Sequence, residues 1–302
     1  MKTYTQSFVL LMLAVLLSAN AQAAMNVFAC EPEWGALAKN IGGDKVNVYN
    51  ATTAMQDPHH IEARPSLIAK ARQADLLVCT GAELEIGWLP LLLKKSGNAA
   101  IQQGQAGYFM ATDHVTLLEK LDHVDRSMGD VHAAGNPHIQ TDPRLILKVA
   151  DALAQRMQQI DASHATVYQQ NHAAFSQRWQ AAMQKWQSQA QILQNTPVVV
   201  HHNHWVYLNN WLGLQQVTTL EPKPGVPPSG SHLSSVLQQL KQKPAKLVIY
   251  ASFQNPRSAN WLAQKANIPA VKLPATVGGT SEAKDLFSFF DDIIARLLAA
   301  KG

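Results

Sequence analysis

The amino-acid sequence predicts an α/β protein with two lobes, each built on a mostly parallel sheet flanked by helices. Two observations lead to this prediction. Short β-like runs alternate with helical patterns in both halves of the chain, and a long helical pattern almost free of Gly and Pro lies between the halves. Alternating strands and helices are typical of parallel sheets that are covered on both faces. The long pattern predicts one rigid helix that joins the lobes.

The first half of the mature chain, residues 24–163, is predicted to be the N-terminal lobe. Its β-like runs cover residues 26–29, 46–49 and 76–80, and helical patterns follow at 32–41, 66–74 and about 87–95. Pro32 suits the first turn of the first helix, and Gly42 with Gly43 ends it. Strand followed by helix, repeated in this way, predicts βαβ units and a parallel sheet.

The last part of the chain, residues 196–302, repeats the scheme and is predicted to be the C-terminal lobe. Its strands are expected at 197–201, 246–250 and 270–273. Its helices are expected at 205–212, 233–241 with Ser231 as the cap, 256–266 and 284–298. The closing helix carries apolar residues at i, i+3 and i+4 spacing, so one of its faces is predicted to be buried.

The connection between the lobes is predicted to be helical. Asp142 caps a first helix and Pro143 occupies its first position. A break near residues 161–163 separates it from a second helix, about 164–191, within a linking region that we place at 164–195. At ~1.5 Å per residue this second helix is roughly 42 Å long, enough to cross from one lobe to the other. Such a connector resists wide hinge closure.

The N-terminus indicates an exported protein. Lys2 precedes an apolar run at residues 8–17, and residues 21–23 (AQA) form a small-x-small cleavage site. The run is too short to span a bilayer, so residues 1–23 are interpreted as a secretory signal peptide, in preference to a buried N-terminal helix. Cys30 is a poor candidate for a lipid anchor because the bulky Phe28 precedes it. We therefore expect a free periplasmic protein.

Charge and cysteine content indicate which partners and which covalent links to expect. The formal charge of +4 is not concentrated in Lys/Arg runs, so no nucleic-acid partner is expected. Cys30 and Cys79 each end an apolar strand-like run and could lie at the same sheet edge. In an exported protein without a CxxC motif, such a pair favours a disulfide. Two buried free thiols are the alternative.

Three short segments place histidine beside residues that bend or fix the backbone. They are residues 57–60 (DPHH), 135–138 (GNPH) and 200–205 (VHHNHW), with His132 just upstream of the second, and they hold six of the 12 histidines. Neutral imidazole is a common protein ligand for divalent metals such as zinc. The segments are too far apart for a local motif, so they can share one ion only if the fold brings three loops together.

The predicted fold supplies that arrangement. Each segment follows, or lies just beyond, the carboxyl end of a predicted strand, where ligands gather in open α/β sheets. Two facing lobes would place His59 and His138 against His202, which predicts a metal site in the interlobe cleft. Zinc hydrolases also keep three protein ligands and an open position. The chain lacks H-E-x-x-H and G-x-S-x-G, so we expect a binding protein, either a metal receptor or a periplasmic zinc chaperone.

These motifs resemble the metal-binding solute receptors of ATP-binding-cassette transporters, the zinc and manganese type. The resemblance covers nearly the whole mature chain. It implies two lobes rigidly linked by a long helix and a metal ion held between them by His59, His138 and His202. It also implies delivery to a membrane permease energised by an ATPase, and we expect the receptor to be a monomer. The residues that carry the resemblance are 57–59 (DPH), 64–66 (RPS), 74–76 (ADL), 80–85 (TGAELE), 136–138 (NPH), 141–143 (TDP), His202 and Tyr207.

The resemblance is incomplete at the fourth ligand. The family commonly supplies a carboxylate just after the late strand, but residues 273–279 (LPATVGG) contain no Asp or Glu. A water molecule, Glu62, Glu221 or His204 is a candidate for that position. Three nitrogens with an oxygen or open fourth position suit zinc, whereas manganese prefers more oxygen ligands. We therefore expect a zinc receptor, with a manganese receptor as the alternative.

The third segment requires a choice among its histidines. Side chains alternate along a strand, so at most one of His201 and His202 can enter the cleft directly. His202 stands three residues before Trp205, which is the position that the family's ligand holds before its aromatic residue. His204 opens the following helix and is expected to contact a ligand rather than the metal.

Overall fold

A computed structural model describes residues 23–125 and 128–301 of the 302-residue chain. The predicted signal peptide, apart from its last residue Ala23, lies outside the described residues. Within the described ranges, none of the helices combines the length and the apolar character needed to cross a lipid bilayer.

The first lobe is built on a four-stranded parallel sheet with the strand order β2-β1-β3-β4. Its members are β1 (Met25–Ala29), β2 (Val46–Asn50), β3 (Leu76–Cys79) and β4 (Tyr108–Met110). The sequence predicts β1, β2 and β3 but not β4. That strand has three residues at the edge of the sheet, too few for a recognisable pattern.

The second lobe is built on another parallel sheet with the order β6-β5-β7-β8. Its members are β5 (Pro197–Val200), β6 (Gln215–Thr219), β7 (Leu247–Ala251) and β8 (Ala270–Leu273). Sequence patterning missed β6, an edge strand that is polar and partly exposed. A solvated edge strand lacks the apolar run on which such prediction depends.

The helices lie close to their predicted positions. They are α1 (Pro32–Gly42), α2 (Pro65–Arg72), α3 (Leu89–Ser96), α4 (Pro143–Ile160), α5 (Ala165–Ala190), α6 (Val206–Leu212), α7 (Gly230–Gln242), α8 (Arg257–Ala266) and α9 (Leu286–Lys301). The Ser231 cap is wrong. Helix α7 begins at Gly230, three residues before the predicted start at 233, and the hydroxyl of Ser229 accepts a hydrogen bond from the His232 amide at 3.2 Å.

Helix α5 runs between the two lobes and is fastened to both. Its 26 residues correspond to roughly 39 Å at ~1.5 Å per residue. At one end Asn171 Nδ2 donates to the Ile41 carbonyl at 3.0 Å, and at the other Trp186 Nε1 donates to Asp291 Oδ1 at 2.7 Å. Trp179, midway, is buried against Phe287 and Phe290 of α9. The boundaries of the linking region at 164 and 195 stay a prediction.

The core continues from one lobe into the other. One apolar cluster contains the inner faces of both sheets together with buried residues of α1, α4, α5 and α9. Smaller clusters fill the opposite face of each sheet, under α2 and α3 in the first lobe and under α7 and α8 in the second. Because interiors of this kind are close-packed, the lobes cannot separate without exposing the shared core.

Cys30 and Cys79 form a disulfide across the ends of neighbouring strands. The Cys30 amide donates to the Val78 carbonyl at 2.8 Å, which continues the pairing of β1 with β3 and brings the two Cα atoms to 4.7 Å. Both sulfur atoms are buried. The predicted disulfide is confirmed, and the alternative of two free thiols is excluded.

Three buried glutamates lie beside the disulfide. Glu85 accepts hydrogen bonds from the Thr80 and Gly81 amides, Glu31 accepts one from the Thr80 hydroxyl at 3.0 Å, and Glu33 accepts one from the Thr276 hydroxyl. Burial raises the pKa of Glu33 and of Glu85 to about 7, and raises that of Glu31 well above its ordinary value. The Glu33–Thr276 bond ties the segment after β8 to α1, so a buried carboxyl with a raised pKa lies at the junction of the lobes.

The disulfide should be complete in protein purified without reductant, so thiol titration under denaturing conditions should find no free sulfhydryl. The Cys30→Ala/Cys79→Ala double variant should lose roughly 2–4 kcal/mol of unfolding free energy, because the bond restrains the unfolded chain. The denaturant midpoint of wild type with its disulfide reduced shows the effect of losing the bond alone. The difference between that midpoint and the midpoint of the double variant shows the effect of losing the two sulfur atoms. Two reactive sulfhydryls in the unreduced protein would contradict the bond.

Glu33→Gln should change how stability depends on pH. The folded pKa of Glu33 is raised above its unfolded value of 4.5, to about 7. Its contribution to the unfolding free energy is therefore full below pH 4.5 and is lost as pH rises through 7. Glutamine removes this loss, so the variant should gain roughly 1–3 kcal/mol relative to wild type between pH 5 and 8.

The measurement is denaturant unfolding of metal-free protein at several pH values. Glu62→Gln is the matched control because Glu62 is exposed. Glu33→Gln and wild type share all their other titrating groups, so the difference between their unfolding free energies reports on residue 33 alone. A difference that stays constant from pH 5 to 8 would show that Glu33 remains ionised.

Candidate metal centre

The first segment holds His59 in a turn built by its own neighbours. Asp57 Oδ1 accepts hydrogen bonds from the His59 amide at 3.0 Å and from His59 Nδ1 at 2.7 Å. Trp88 Nε1 fixes the turn from below by donating to the Pro58 carbonyl at 2.9 Å. Since Asp57 occupies Nδ1, the proton of the neutral ring lies there and the lone pair of Nε2 faces away from the turn.

His138 is fully buried at the end of the second segment. Asn136 Oδ1 accepts a hydrogen bond from the His138 amide at 3.1 Å, which fixes the turn around Pro137. Neither ring nitrogen of His138 has a hydrogen-bond partner among residues 23–125 and 128–301. Buried polar atoms are rarely left unpaired, so these nitrogens are available to a ligand such as a metal ion.

His202 lies just beyond β5 in the second lobe. Glu221 Oε2, which follows β6, accepts a hydrogen bond from His202 Nδ1 at 2.8 Å. This pairing directs Nε2 away from the carboxylate, as Asp57 does for His59. Carboxylates that hold the second nitrogen of a histidine are a common support for metal ligands, because they fix the ring orientation and raise its basicity.

These three side chains meet in the cleft between the lobes. His59, His138 and His202 each offer a ring nitrogen within 4.8 Å of the other two. The rings lie edge to face, with centroids 5.4–5.7 Å apart. A cavity of about 440 Å³ opens beside them, lined among others by His138 and His202. The convergence of three distant loops on one point is therefore present in the fold.

The neighbouring histidines of the third segment lie outside this group. His201 turns toward the other side of Glu221, with Nε2 3.9 Å from Oε1. His204 is buried behind His138, with ring centroids 4.1 Å apart, and its Nε2 lies 3.4 Å from Gln140 Nε2. Strand β5 ends at Val200, so neither His201 nor His202 lies in the strand, and both rings approach the Glu221 carboxylate. His204 contacts the His138 ring but does not belong to the group of three.

The other candidates for a fourth ligand have different positions. Glu62 is exposed, and Glu221 already holds His202. Thr276, after β8, donates a hydrogen bond to Glu33. Among the described residues, neither Glu62 nor Glu221 belongs to the three-histidine group, and the identity of a fourth ligand stays a prediction.

One residue near the cluster was missed. His132 Nε2 lies 3.3 Å from His59 Nε2, and the two ring centroids are 5.4 Å apart. In the sequence, His132 stands out only as a histidine just upstream of the second segment. The available signal was its proximity in sequence to His138, but no local pattern shows where a loop without strand or helix will lie.

Two side chains clamp the segments together across the lobes. The Tyr207 hydroxyl donates to the Asn136 carbonyl at 2.6 Å and accepts a hydrogen bond from the Leu118 amide at 3.1 Å. Asn136 Nδ2 donates to the Asn203 carbonyl at 2.8 Å. The turn that carries His138 is thus bonded directly to the segment that carries His202.

Electrostatics keep the buried imidazoles neutral. Burial lowers the pKa of His138 well below its ordinary value, and the adjacent His204 and His202 lower it further. Burial also lowers the pKa of His204 to about 3. Asp57 is the reverse case: burial opposes its ionisation, but the hydrogen bonds from His59 lower its pKa to about 2. Neutral nitrogens backed by an ionised carboxylate suit a divalent cation.

Comparison with known sequences agrees with this geometry. The model of the family described as the periplasmic component A of the zinc-uptake complex matches residues 27–300. The manganese ABC transporter substrate-binding lipoprotein PsaA of Streptococcus pneumoniae is 24% identical over 241 residues, 77% of this chain and 74% of that protein. The high-affinity zinc uptake system protein ZnuA of Bacillus subtilis is 24% identical over 266 residues, 87% of this chain and 82% of that protein.

Solved structures share the fold. A crystal structure of ZnuA superposes with a TM-score of 0.75 at 22% identity, covering 92% of this chain and 100% of that chain. The manganese-bound periplasmic metal binding protein from Candidatus Liberibacter asiaticus superposes with a TM-score of 0.74 at 17% identity, again over 92% and 100%. Likeness at these identities establishes the architecture of two lobes and a joining helix.

Replacement of single histidines in the third segment should separate their roles. His202→Ala should weaken binding of a divalent metal by roughly 100-fold or more, because it removes a ring nitrogen from the cluster. His201→Ala and His204→Ala are matched controls in the same segment and should cost much less. Competition with a chelator of known affinity measures all three. A larger loss for His204→Ala than for His202→Ala would contradict the assignment.

Proposed function

The chain belongs to the family of periplasmic component A of zinc-uptake complexes, and from this premise we propose that it captures zinc for an ATP-binding-cassette importer. A protein of this family is the substrate-binding component of a metal transporter and not an enzyme. Its work is binding and release, with no covalent chemistry. The zinc hydrolase considered from the sequence is thereby set aside.

The observation that carries the proposal is the meeting of His59, His138 and His202 in the cleft. We assign these three imidazoles as the zinc ligands. His59 and His202 present Nε2, since Asp57 and Glu221 engage their Nδ1 atoms. For His138, coordination would pair a buried nitrogen that otherwise has no hydrogen-bond partner among the described residues.

The donor set favours zinc over manganese. Imidazole nitrogens suit zinc, whereas manganese prefers carboxylate, carbonyl and water oxygens. The two carboxylates nearest the ligand rings, Asp57 and Glu221, hold ring nitrogens instead of facing the cluster. A nitrogen site of this kind also binds zinc more tightly than manganese on the general order of divalent affinities. The manganese receptor remains the second candidate, because a manganese lipoprotein is among the relatives.

The partners follow from the family. Substrate-binding components of metal importers work outside the cytoplasmic membrane with a permease and an ATPase. We place this one in the periplasm, released by cleavage of its signal peptide and working as a monomer. The Cys30–Cys79 disulfide supports an oxidising compartment. A periplasmic zinc chaperone would carry the same site, and direct transfer of zinc to the permease in reconstituted membranes distinguishes the two.

Zinc should stabilise the folded protein strongly. At a free zinc concentration about 1,000 times the dissociation constant, the gain is about 4 kcal/mol, which corresponds to a rise in melting temperature of roughly 10 °C. Calorimetric titration should give one zinc per chain. Equal free manganese should produce a smaller shift, and a chelator should reverse both.

The outcome that contradicts the proposal is a melting temperature that moves with neither metal. A larger shift with manganese than with zinc at equal free concentration would favour the manganese receptor. The His202→Ala variant serves as the control for binding elsewhere on the surface, since a shift that survives this substitution does not arise at the cleft.

A further inference from the structure

We propose that His132 is a fourth protein ligand of the bound zinc, so that the site is closed by four imidazoles. The inference rests on the proposed function, because it takes zinc to bind at His59, His138 and His202. It adds a residue from the loop between β4 and α4, in a chain whose segment 273–279 lacks the carboxylate that its family commonly supplies.

The distance between His132 and His59 carries the argument. Their Nε2 atoms are 3.3 Å apart. Two nitrogens that each lie about 2.0–2.1 Å from a tetrahedral zinc ion are separated by about 3.3–3.4 Å. The two lone pairs are therefore spaced as adjacent corners of a zinc tetrahedron. Without metal the contact is an N–H···N hydrogen bond, in which His132 donates because the proton of neutral His59 lies on Nδ1 toward Asp57.

The surroundings of His132 also fit a ligand. Its Nδ1 is buried and has no hydrogen-bond partner in the described part of the chain. The ring lies beside the Ala82 backbone, and His132 lines the same cavity as His138 and His202.

The loop that carries His132 is held against both lobes by its backbone. The Asp130 amide donates to the Pro224 carbonyl at 2.9 Å in the second lobe, and the Ala133 amide donates to Glu83 Oε2 at 3.3 Å in the first. Gly129 has a positive φ of 86°, and a Cβ atom there would lie 2.3 Å from the Pro224 carbonyl oxygen. Only glycine permits this approach.

The same contacts connect the loop to two assigned ligands. Glu221 Oε2, which accepts from His202 Nδ1, also accepts from the Gly225 amide at 3.0 Å. Gly225 packs directly against the Asp130 side chain, and Asp130 lies 3.4 Å from His60 Nε2, beside His59. His132 therefore belongs to one network with both sides of the cleft.

A fourth imidazole has a consequence for metal selection. Four nitrogens with no carboxylate oxygen exclude the ligand type that manganese prefers.

The test compares His132→Ala with His123→Ala in the full-length exported protein. His123 belongs to the same connection, and its side chain is 82% exposed. Zinc affinity by chelator competition should fall by roughly 10- to 100-fold for His132→Ala, at least the loss seen when an outer-shell partner is removed. The His123→Ala variant should bind like wild type. The loop is held by backbone amides, so alanine at 132 should leave it in place.

Spectroscopy separates coordination from a structural role. The Co²⁺-loaded wild type should show the strong visible absorption of a tetrahedral nitrogen site, and His132→Ala should shift and weaken it. In His132→Gly, added imidazole should restore the wild-type spectrum by occupying the vacated position. X-ray absorption of the zinc proteins should lose one imidazole scattering contribution on substitution.

Wild-type affinity together with an unchanged cobalt spectrum in His132→Ala would overturn the inference and leave the three-histidine site intact. Weaker binding with an unchanged spectrum, or a spectrum that imidazole does not restore in His132→Gly, would also overturn it. Failure of wild type itself to bind zinc, or unaltered zinc binding by His202→Ala, would instead contradict the proposed function. The two failures are therefore distinguishable.

Discussion

The fixed separation of the two lobes is the constraint on which the metal site depends. Helix α5 is bonded to α1 at one end and to α9 at the other, and a single apolar core continues through both sheets. The carboxyl ends of β2 and β5 therefore face each other across a gap that cannot open widely without exposing close-packed side chains. Ring nitrogens from three loops meet because this gap is fixed, and small local movements remain the available route for entry and release.

The electrostatic arrangement follows from burial. The pKa values of His138 and His204 are lowered, since desolvation and the neighbouring histidines oppose a charge on either ring. Neutral nitrogens are the form in which histidine binds metal. Two carboxylates, Asp57 and Glu221, contact Nδ1 of His59 and of His202 and orient these rings. In the proposed site the donors to the ion are therefore nitrogens, and the two carboxylates lie behind them.

Hydrogen bonds between the lobes join the segments that carry the histidines of the site. Asn136 and Tyr207 join the turn of His138 to the segment of His202, and Glu33 joins α1 to Thr276 beyond β8. Each of these bonds has a side chain as donor, so single substitutions can remove them one at a time. The loop around His132 adds a further connection through Pro224 and Glu83.

Sequence patterns were enough to predict the two-lobed α/β class, six of the eight strands that the structure describes, and the long joining helix. Buried parallel strands are continuous apolar runs and long helices have a strong period, so both are visible in the sequence. The disulfide and the three converging histidines were also predictable, because a strand end or a proline lies beside each of these residues.

The edge strands, the cap of α7 and the position of His132 depend on tertiary contacts. The edge strands β4 and β6 are short or polar and gain their pairing from neighbours, so they carry little pattern of their own. The cap of α7 moved to Ser229 because the chain enters the helix earlier than the apolar period suggests. The position of His132 depends on a loop bonded to both lobes. Its place beside His59 follows from contacts between residues far apart in sequence, which no local pattern encodes.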